Sequence, residues 1–460
     1  MLTYHLVKAP GVPLYESLYR QIRDDILSGA LAPGEKLPSK RALAAHLEVS
    51  KITVEAAYGQ LLAEGYLRAK EKVGYFVEAA ERPAPAEPAP PAPPEPASDR
   101  PAVDLTGHGA APFPFSVWSR LQREVMLDYG PKLLEPVAHQ GCAELRQAIA
   151  DHLAQFRGMQ VDPARILVGA GTDFLYNLLI QLLGRDKCYA VEDPGYGKIR
   201  RLYAAAGAAC VSALLDGEGV RPETLGPARV LHCSPSHHFP TGLVTTLPRR
   251  LALLDWAEEG PERWIIEDDY DSEFRFDAHP LPAMQSLDRS GRVIYMNTFS
   301  RTLAPSFRIS YMVLPPALMA RFTRDLGFYS GTVPSFEQYT LARFLSRGYF
   351  EKHINRMRKA YRLLRNRVIG VLERCPYADR LTIREQDAGL HFLLKAAVGL
   401  PDGALKARCR QAGIRVDMLS DYYVTPVPEE DRQCLVVNYA GLTAQALDAL
   451  ERILSDPGKI

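Results

Sequence analysis

The sequence predicts two folded modules, an N-terminal winged helix-turn-helix and a large C-terminal α/β domain, and three observations lead there. Three helical apolar patterns crowd residues 10–78 and end in a short hairpin pattern. Residues 81–101 are almost entirely Pro, Ala and Glu. Beyond residue 103, short apolar runs closed by turn residues alternate with helical stretches. The expected boundaries are therefore 10–78, a linker at 79–102, and 103–460. A length of 460 residues exceeds one ordinary domain, and 47% apolar with 24% charged residues supplies a sizeable core. With a net charge of +1, any nucleic-acid footprint has to be local. The seven cysteines are scattered and never form a Cys-x-x-Cys pair, which fits a reducing compartment. No signal-peptide core or membrane-length apolar run is present, so a soluble cytoplasmic protein is expected.

In the first module Leu14, Leu18, Ile22 and Ile26 recur every four residues, one helical face that Ser28-Gly29 stops. Leu31-Ala32-Pro33-Gly34 reads as a turn, and Ser39 as the N-cap of a second helix with Leu43 and Leu47 inside. A third helix follows Ser50, carries Val54, Tyr58, Leu61 and Leu62 inward, and ends at Gly65. Tyr66-Leu67-Arg68 and Tyr75-Phe76-Val77 flank Gly74 as a β-hairpin wing. A recognition helix presents its N-terminal residues to the major groove, which nominates Ser50, Lys51 and Thr53, beside Ile52. Lys40 and Arg41 begin the preceding helix where phosphates are met, and Arg68 lies on the wing. A three-helix interaction module with merely solvated charges remains the alternative at this level.

The wording of this module, Pro33-Gly34-Glu35-Lys36-Leu37-Pro38-Ser39-Lys40-Arg41 followed by Val49-Ser50-Lys51-Ile52-Thr53-Val54 and Leu62-Ala63-Glu64-Gly65-Tyr66-Leu67, resembles the winged helix of GntR-family regulators. The resemblance implies double-stranded DNA as a partner. Lys51 departs from it, since arginine is common there and lysine lacks the bidentate fork. The Pro/Ala-rich linker cannot bury a core; extended at about 3.1 Å per residue it spans roughly 60 Å.

The apolar runs of the large module are Ile166–Gly169, Cys188–Asp193, Val230–Cys233, Trp264–Asp269, Val293–Met296 and Ile309–Val313. Such alternation with helices predicts a largely parallel sheet whose ligands collect at the carboxyl ends of strands. Gly169-Ala170-Gly171-Thr172-Asp173 opens a helix as a phosphate cradle, although no P-loop pattern occurs. The stretch Glu267-Asp268-Asp269-Tyr270-Asp271-Ser272-Glu273 holds five acids and reads in three ways: a solvated charge run, a divalent metal site, or a carboxylate partner for a pyridine nitrogen. His232, Cys233, His237 and His238 invite a zinc reading, but no second ligand pair follows at a matching spacing, so no metal is expected.

Taken in order, Gly169-Ala170-Gly171-Thr172, Glu192-Asp193-Pro194-Gly195-Tyr196, the Pro235–Gly242 loop, the acidic stretch and Thr298-Phe299-Ser300-Arg301-Thr302-Leu303-Ala304-Pro305 resemble MocR-type regulators, in which a GntR winged helix is fused to a fold-type I, pyridoxal-phosphate-dependent aminotransferase-like domain. That resemblance implies a small C-terminal α+β subdomain, a homodimer and a small-molecule effector. It implies that Gly171, Thr172, Ser300 and Arg308 hold the phosphate of pyridoxal 5′-phosphate (PLP), that Tyr196 stacks on its ring, that Asp268 pairs with the ring nitrogen and that Tyr270 bonds the phenolic oxygen.

Three residues depart from that pattern. Arg301 stands where a lysine would form the Schiff base, and a guanidinium has no free amine to offer. Gly441, within Asn438-Tyr439-Ala440-Gly441-Leu442, replaces an arginine that clasps a substrate carboxylate, and Lys198 replaces another arginine in some relatives. The expectation is a regulator that binds PLP or a related anion noncovalently, with Arg301 near the phosphate and no catalytic residue. The alternative is a PLP-dependent aminotransferase with an accessory DNA-binding domain.

Overall fold

The structure is a computed structural model and describes residues 2–4, 6, 13–79, 101–107, 113–275, 281–385 and 389–455. The linker expected at 79–102 lies outside the described residues except at 79, 101 and 102, as do residues 10–12 of the first expected module. The chain divides into two compact units, Met1–Ser98 and Asp99–Ile460.

In the first unit, α1 (Leu14–Ser28) buries Leu18, Tyr19, Ile22 and Ile26 and stops at Gly29, whose left-handed φ of 81° lets its N–H return to Ile26. After β1 (Lys36–Leu37) come α2 (Lys40–His46) and α3 (Lys51–Ala63). Ser39 Oγ caps the first of these at Ala42 N (3.2 Å), and Ser50 Oγ caps the second at Thr53 N (3.1 Å). The hairpin is β2 (Leu67–Lys70) with β3 (Gly74–Val77). One strand escaped the sequence reading: β1 pairs antiparallel with β3, making the wing three-stranded. Two residues are too few for a period to show, and only the burial of Leu37 reveals the strand.

The second unit opens with β4 (Val103–Asp104) and the helices α4 (Phe115–Tyr129) and α5 (Ala143–Arg157). Its centre is an eight-stranded sheet. Along the chain this comprises β5 (Ile166–Gly169), α6 (Thr172–Leu183), β6 (Cys188–Asp193), α7 (Gly197–Ala205), β7 (Ala209–Asp216), β8 (Gly219–Val220), β9 (Val230–Cys233), α8 (Leu247–Glu258), β10 (Trp264–Asp268), α9 (Met284–Leu287), β11 (Val293–Thr298) and β12 (Ser310–Val313). Strand order is β5-β12-β11-β10-β9-β6-β7-β8. The pairs among β6, β7, β9, β10 and β11 are parallel, while β12 runs against both neighbours. Strands β5, β10, β11 and β12 are buried throughout, which is why each reads as a continuous apolar run. By contrast β7 is largely half-exposed and shows no such run, so the sequence reading passed over it.

Three more helices follow, α10 (Pro316–Asp325), α11 (Ser335–Ser346) and the 26-residue α12 (Tyr349–Arg374). A smaller sheet ends the chain: β13 (Leu381–Arg384), β14 (His391–Ala396), α13 (Asp402–Gln411), β15 (Ile414–Arg415), β16 (Asp417–Met418), β17 (Cys434–Asn438) and α14 (Ala444–Leu454). Its order is β13-β14-β17-β16, and β15 pairs instead with β4. Among the described residues no helix is long and apolar enough to cross a membrane.

Candidate functional site

The carboxyl ends of β5, β6, β9, β10 and β11 open on the same side of the sheet, where ligands of such sheets collect. The acidic stretch begins at the end of β10, and all five of its acids are buried, which corrects the solvated reading. Burial is tolerable because each acid has its own partner. Glu267 accepts from the backbone N–H groups of Met284 and Gln285 at 2.8 and 2.9 Å, the first turn of α9. Asp268 Oδ2 accepts the Tyr176 hydroxyl and stands 3.5 Å from His232 Nε2, while the other His232 nitrogen is 2.6 Å from Tyr203 Oη. Asp269 meets Arg157 at 3.0 Å and the Tyr295 hydroxyl at 2.6 Å. Asp271 lies 2.8 Å from His237 Nδ1, and Glu273 accepts from Asn297 at 3.3 Å. The acids and histidines thus point to separate partners, and among the described residues no three His, Cys, Asp or Glu side chains stand together as metal ligands.

Asp268, Asp269, Asp271 and Glu273 each keep one buried oxygen without a hydrogen-bond partner, and among these Asp268 Oδ1 belongs to the residue nominated for a ligand. Sequence reasoning nominated Asp268 but missed Tyr176 and Tyr203 and weighed His232 only as a zinc ligand; Tyr176 and His232 meet its other oxygen, and Tyr203 holds His232. No local pattern announces them; they come from α6, β9 and α7. Tyr270 follows, its hydroxyl 3.3 Å from His237 Nδ1. Tyr196, just before α7, is 47% exposed and offers an open ring face, with Phe239 edge-on at 6.0 Å.

The residues expected to hold a phosphate include the turn where α6 begins. Gly171 has φ 91° and no side chain to cap the helix, so its first N–H groups are available. Arg308 holds a left-handed backbone (φ 42°), which is costly without glycine, and its guanidinium passes directly over Gly171: a Cβ there would sit 2.5 Å from Arg308 Nη2. Asp173 accepts from both Lys198 (2.7 Å) and Arg308 (3.2 Å). Lys198 therefore belongs to this corner. Ser300 Oγ is buried and unpartnered, and its backbone N–H bonds Thr298 Oγ1 at 3.1 Å. Thr172, the first residue of α6, completes the set.

Arg301 is exposed and has no hydrogen bond or ion pair among the described residues. Burial pushes the Tyr270 phenol well above its ordinary pKa and raises that of Tyr361 to about 12, and Arg301 opposes both rises. The guanidinium thus lies within electrostatic reach of Tyr270. Gly441 falls in the turn after β17, where Asn438 Oδ1 accepts from Ala440 N at 3.1 Å.

In the first unit, the candidate DNA contacts divide by charge pairing. Lys40 is 2.7 Å from Glu55 and lies over the Tyr75 ring, and Arg68 is 2.9 Å from Glu78. Arg41 and Lys51 are exposed and make no ion pair among the described residues. Ser50 and Thr53 bond each other through their hydroxyls at 2.8 Å. Ile52, beside them, is 76% exposed.

A winged helix-turn-helix joined to an aminotransferase-like α/β domain defines a class of transcriptional regulator. Residues 14–77 match the bacterial regulatory proteins of the gntR family. The chain is 36% identical to the HTH-type transcriptional regulator YdeL of Bacillus subtilis, over 92% of each chain. It is 35% identical to the probable rhizopine catabolism regulatory protein MocR of Rhizobium meliloti, over 95% of this chain and 92% of that one. The large domain shares its fold with kynurenine aminotransferase of Pyrococcus horikoshii (TM-score 0.65, 24% identity, 76% of this chain and 89% of that one). The chain belongs to the MocR-type family of HTH-type transcriptional regulators.

Two measurements follow from the charges. For DNA, Arg41→Ala and Lys51→Ala are each expected to flatten the dependence of log affinity on log salt by about 0.9. Glu55→Gln, which releases Lys40, is expected to steepen it; filter binding or anisotropy across a salt series reads both. For stability, burial raises the Glu273 carboxyl from 4.5 to about 7. The folded state therefore binds the proton more tightly than the unfolded one, and the stability tied to that proton is lost as pH rises through this window. Thermal melts of Glu273→Gln should show a stabilisation over wild type that grows from pH 4.5 to about 7 and then levels off. A difference independent of pH would refute the assignment.

Proposed function

We propose that the large domain is a sensor that binds PLP, or a small-molecule effector with the same pyridine and phosphate chemistry, reversibly and without a covalent bond. On this reading two chains act as a homodimer in the cytoplasm, and occupancy of the large domains alters how their winged helices engage double-stranded DNA. The observation that carries the proposal is Arg301, which stands among cofactor-compatible groups and supplies no amine.

The residues present fit the cofactor. Gly171, Thr172, Ser300 and Arg308 would hold the phosphate, Arg308 through charge-assisted bonds and Ser300 through its unpartnered hydroxyl. Asp268 Oδ1, buried and unpaired, would accept the ring N–H, a role for which Tyr176 already orients the carboxylate. Tyr196 would cover one ring face and Tyr270 would donate to the phenolic oxygen. When bound, PLP supplies an electrophilic carbonyl and an electron-accepting ring. Arg301 carries a guanidinium in place of a free amine and cannot attack that carbonyl, so its contribution is positive charge. Gly441 removes a second group expected of an aminotransferase. An effector regulates only if it binds one arrangement of the dimer better than another, and two recognition helices then meet repeated half-sites together or not at all.

Calorimetric titration of the purified chain with PLP, followed by borohydride reduction and mass spectrometry, tests this reading. Wild type is expected to bind saturably and to yield no fixed adduct. Arg308→Ala and Asp268→Ala should weaken binding by about tenfold or more, the loss of a charge-assisted contact. Arg301→Lys is expected to acquire an adduct at residue 301. Absence of saturable binding, a wild-type adduct at another lysine, or transfer of an amino group from any amino acid by wild type would each overturn the proposal.

A further inference from the structure

The small C-terminal sheet and the helices packed on it do not close completely. They enclose a cavity of about 330 Å³, within the range of small-molecule pockets. Leu394, Leu435 and Val437 line it from β14 and β17, and Leu372, Leu405 and Leu450 from α12, α13 and α14. Protein interiors rarely keep voids much larger than a water molecule, because atoms facing a void forfeit their dispersion contacts. An aliphatic lining also gives water nothing to bond, so such a space suits an apolar ligand.

The rim specifies the other end of that ligand. Among the described residues that line it two are charged, Arg380 and Arg408, and both are exposed. Neither forms an ion pair among the described residues, whereas Arg374, Arg384, Arg415 and Arg432 in the same part of the fold each meet a carboxylate. Two unneutralised guanidinium groups bordering an apolar cavity are matched to an anionic head on an apolar tail.

We infer that the small subdomain holds a second ligand site, for a hydrophobic monocarboxylate whose alkyl or aryl tail fills the cavity and whose carboxylate meets Arg380 and Arg408. The site does not depend on the PLP reading. It does share a structural element with the cofactor corner: Val368 and Leu372 of α12 line the cavity, while His353 on the same helix donates to the carbonyl of Thr302 at 2.8 Å, one residue past Arg301.

Calorimetric titration of the full chain with decanoate, with and without PLP, and with decanol as the uncharged comparison, tests the inference. Saturable binding of one decanoate per chain, unchanged by PLP, is expected. The double variant Arg380→Ala/Arg408→Ala should weaken decanoate by about tenfold or more and leave decanol unchanged. Leu405→Trp, which fills the cavity, should abolish both. No saturable binding by wild type, displacement by PLP, or unaltered decanoate affinity in the double variant would overturn the site, as would binding that survives Leu405→Trp. The two arginines are exposed, so the double variant keeps the test decisive even if the tryptophan variant fails to fold.

Discussion

Five carboxylates within seven residues are withdrawn from water at the end of β10, and the neighbouring elements are arranged to make that possible. Leaving one buried charge without its partner costs on the order of 3–5 kcal/mol, a large fraction of a domain's stability. The partners come from scattered places: Arg157 at the end of α5, Tyr176 in α6, His237 after β9, the first turn of α9, and Tyr295 and Asn297 of β11. Each tie draws one element toward the carboxyl end of the sheet. Arg157 also bonds Ser236 Oγ at 2.9 Å, so the loop after β9 is anchored by the same cation that pairs Asp269. The acids thus hold the framework that places Asp268 and Tyr270, and the site inherits its geometry from these ties.

Against that framework the phosphate corner is a matter of charge. Lys198 and Arg308 share Asp173, and Arg301, which acts electrostatically on Tyr270, has no counterion among the described residues. Two cations less one carboxylate leave roughly one positive charge at the corner, and on the proposed reading Arg301 adds a second, to set against the roughly two negative charges of a phosphate monoester at neutral pH. Replacing lysine by arginine at 301 therefore keeps the attraction for an anion while removing the nucleophile. Backbone detail supports the same corner: Arg308 accepts a left-handed conformation, and Gly171 lacks the Cβ that would block its guanidinium.

What was legible in the sequence follows from how local the cause is. Helix caps such as Ser39 and Ser50 act over three residues, and strands buried on both faces announce themselves as apolar runs. β1 is too short to show a period and β7 is too exposed to show a run. In the site, Gly171, Tyr196, Asp268, Ser300 and Arg308 were nominated by their order in a resemblance to a known family, and each lies close to a strand end. The burial of the acidic stretch was not legible, because a run of acids has the same composition whether solvated or paired, and the partners that decide lie far away in the chain. Likewise Lys40, Arg41, Lys51 and Arg68 look equivalent in sequence, and only the placement of Glu55 and Glu78 separates them.

That separation bears on how the regulator works. Within the winged helix Lys40 and Arg68 are committed to Glu55 and Glu78, while Arg41 and Lys51 make no ion pair among the described residues. Since non-specific DNA affinity scales with the number of phosphates neutralised, each committed cation lowers what a single copy gains from phosphate. Two copies held at the spacing of repeated half-sites convert the second contact into an intramolecular one, and the gain vanishes when geometry forbids simultaneous engagement. For the proposed homodimer, the relation between the two copies then decides affinity. On the proposed reading, a ligand in the large domain needs only to bias that relation, a task for which binding energy suffices and for which an amine at position 301 would add nothing.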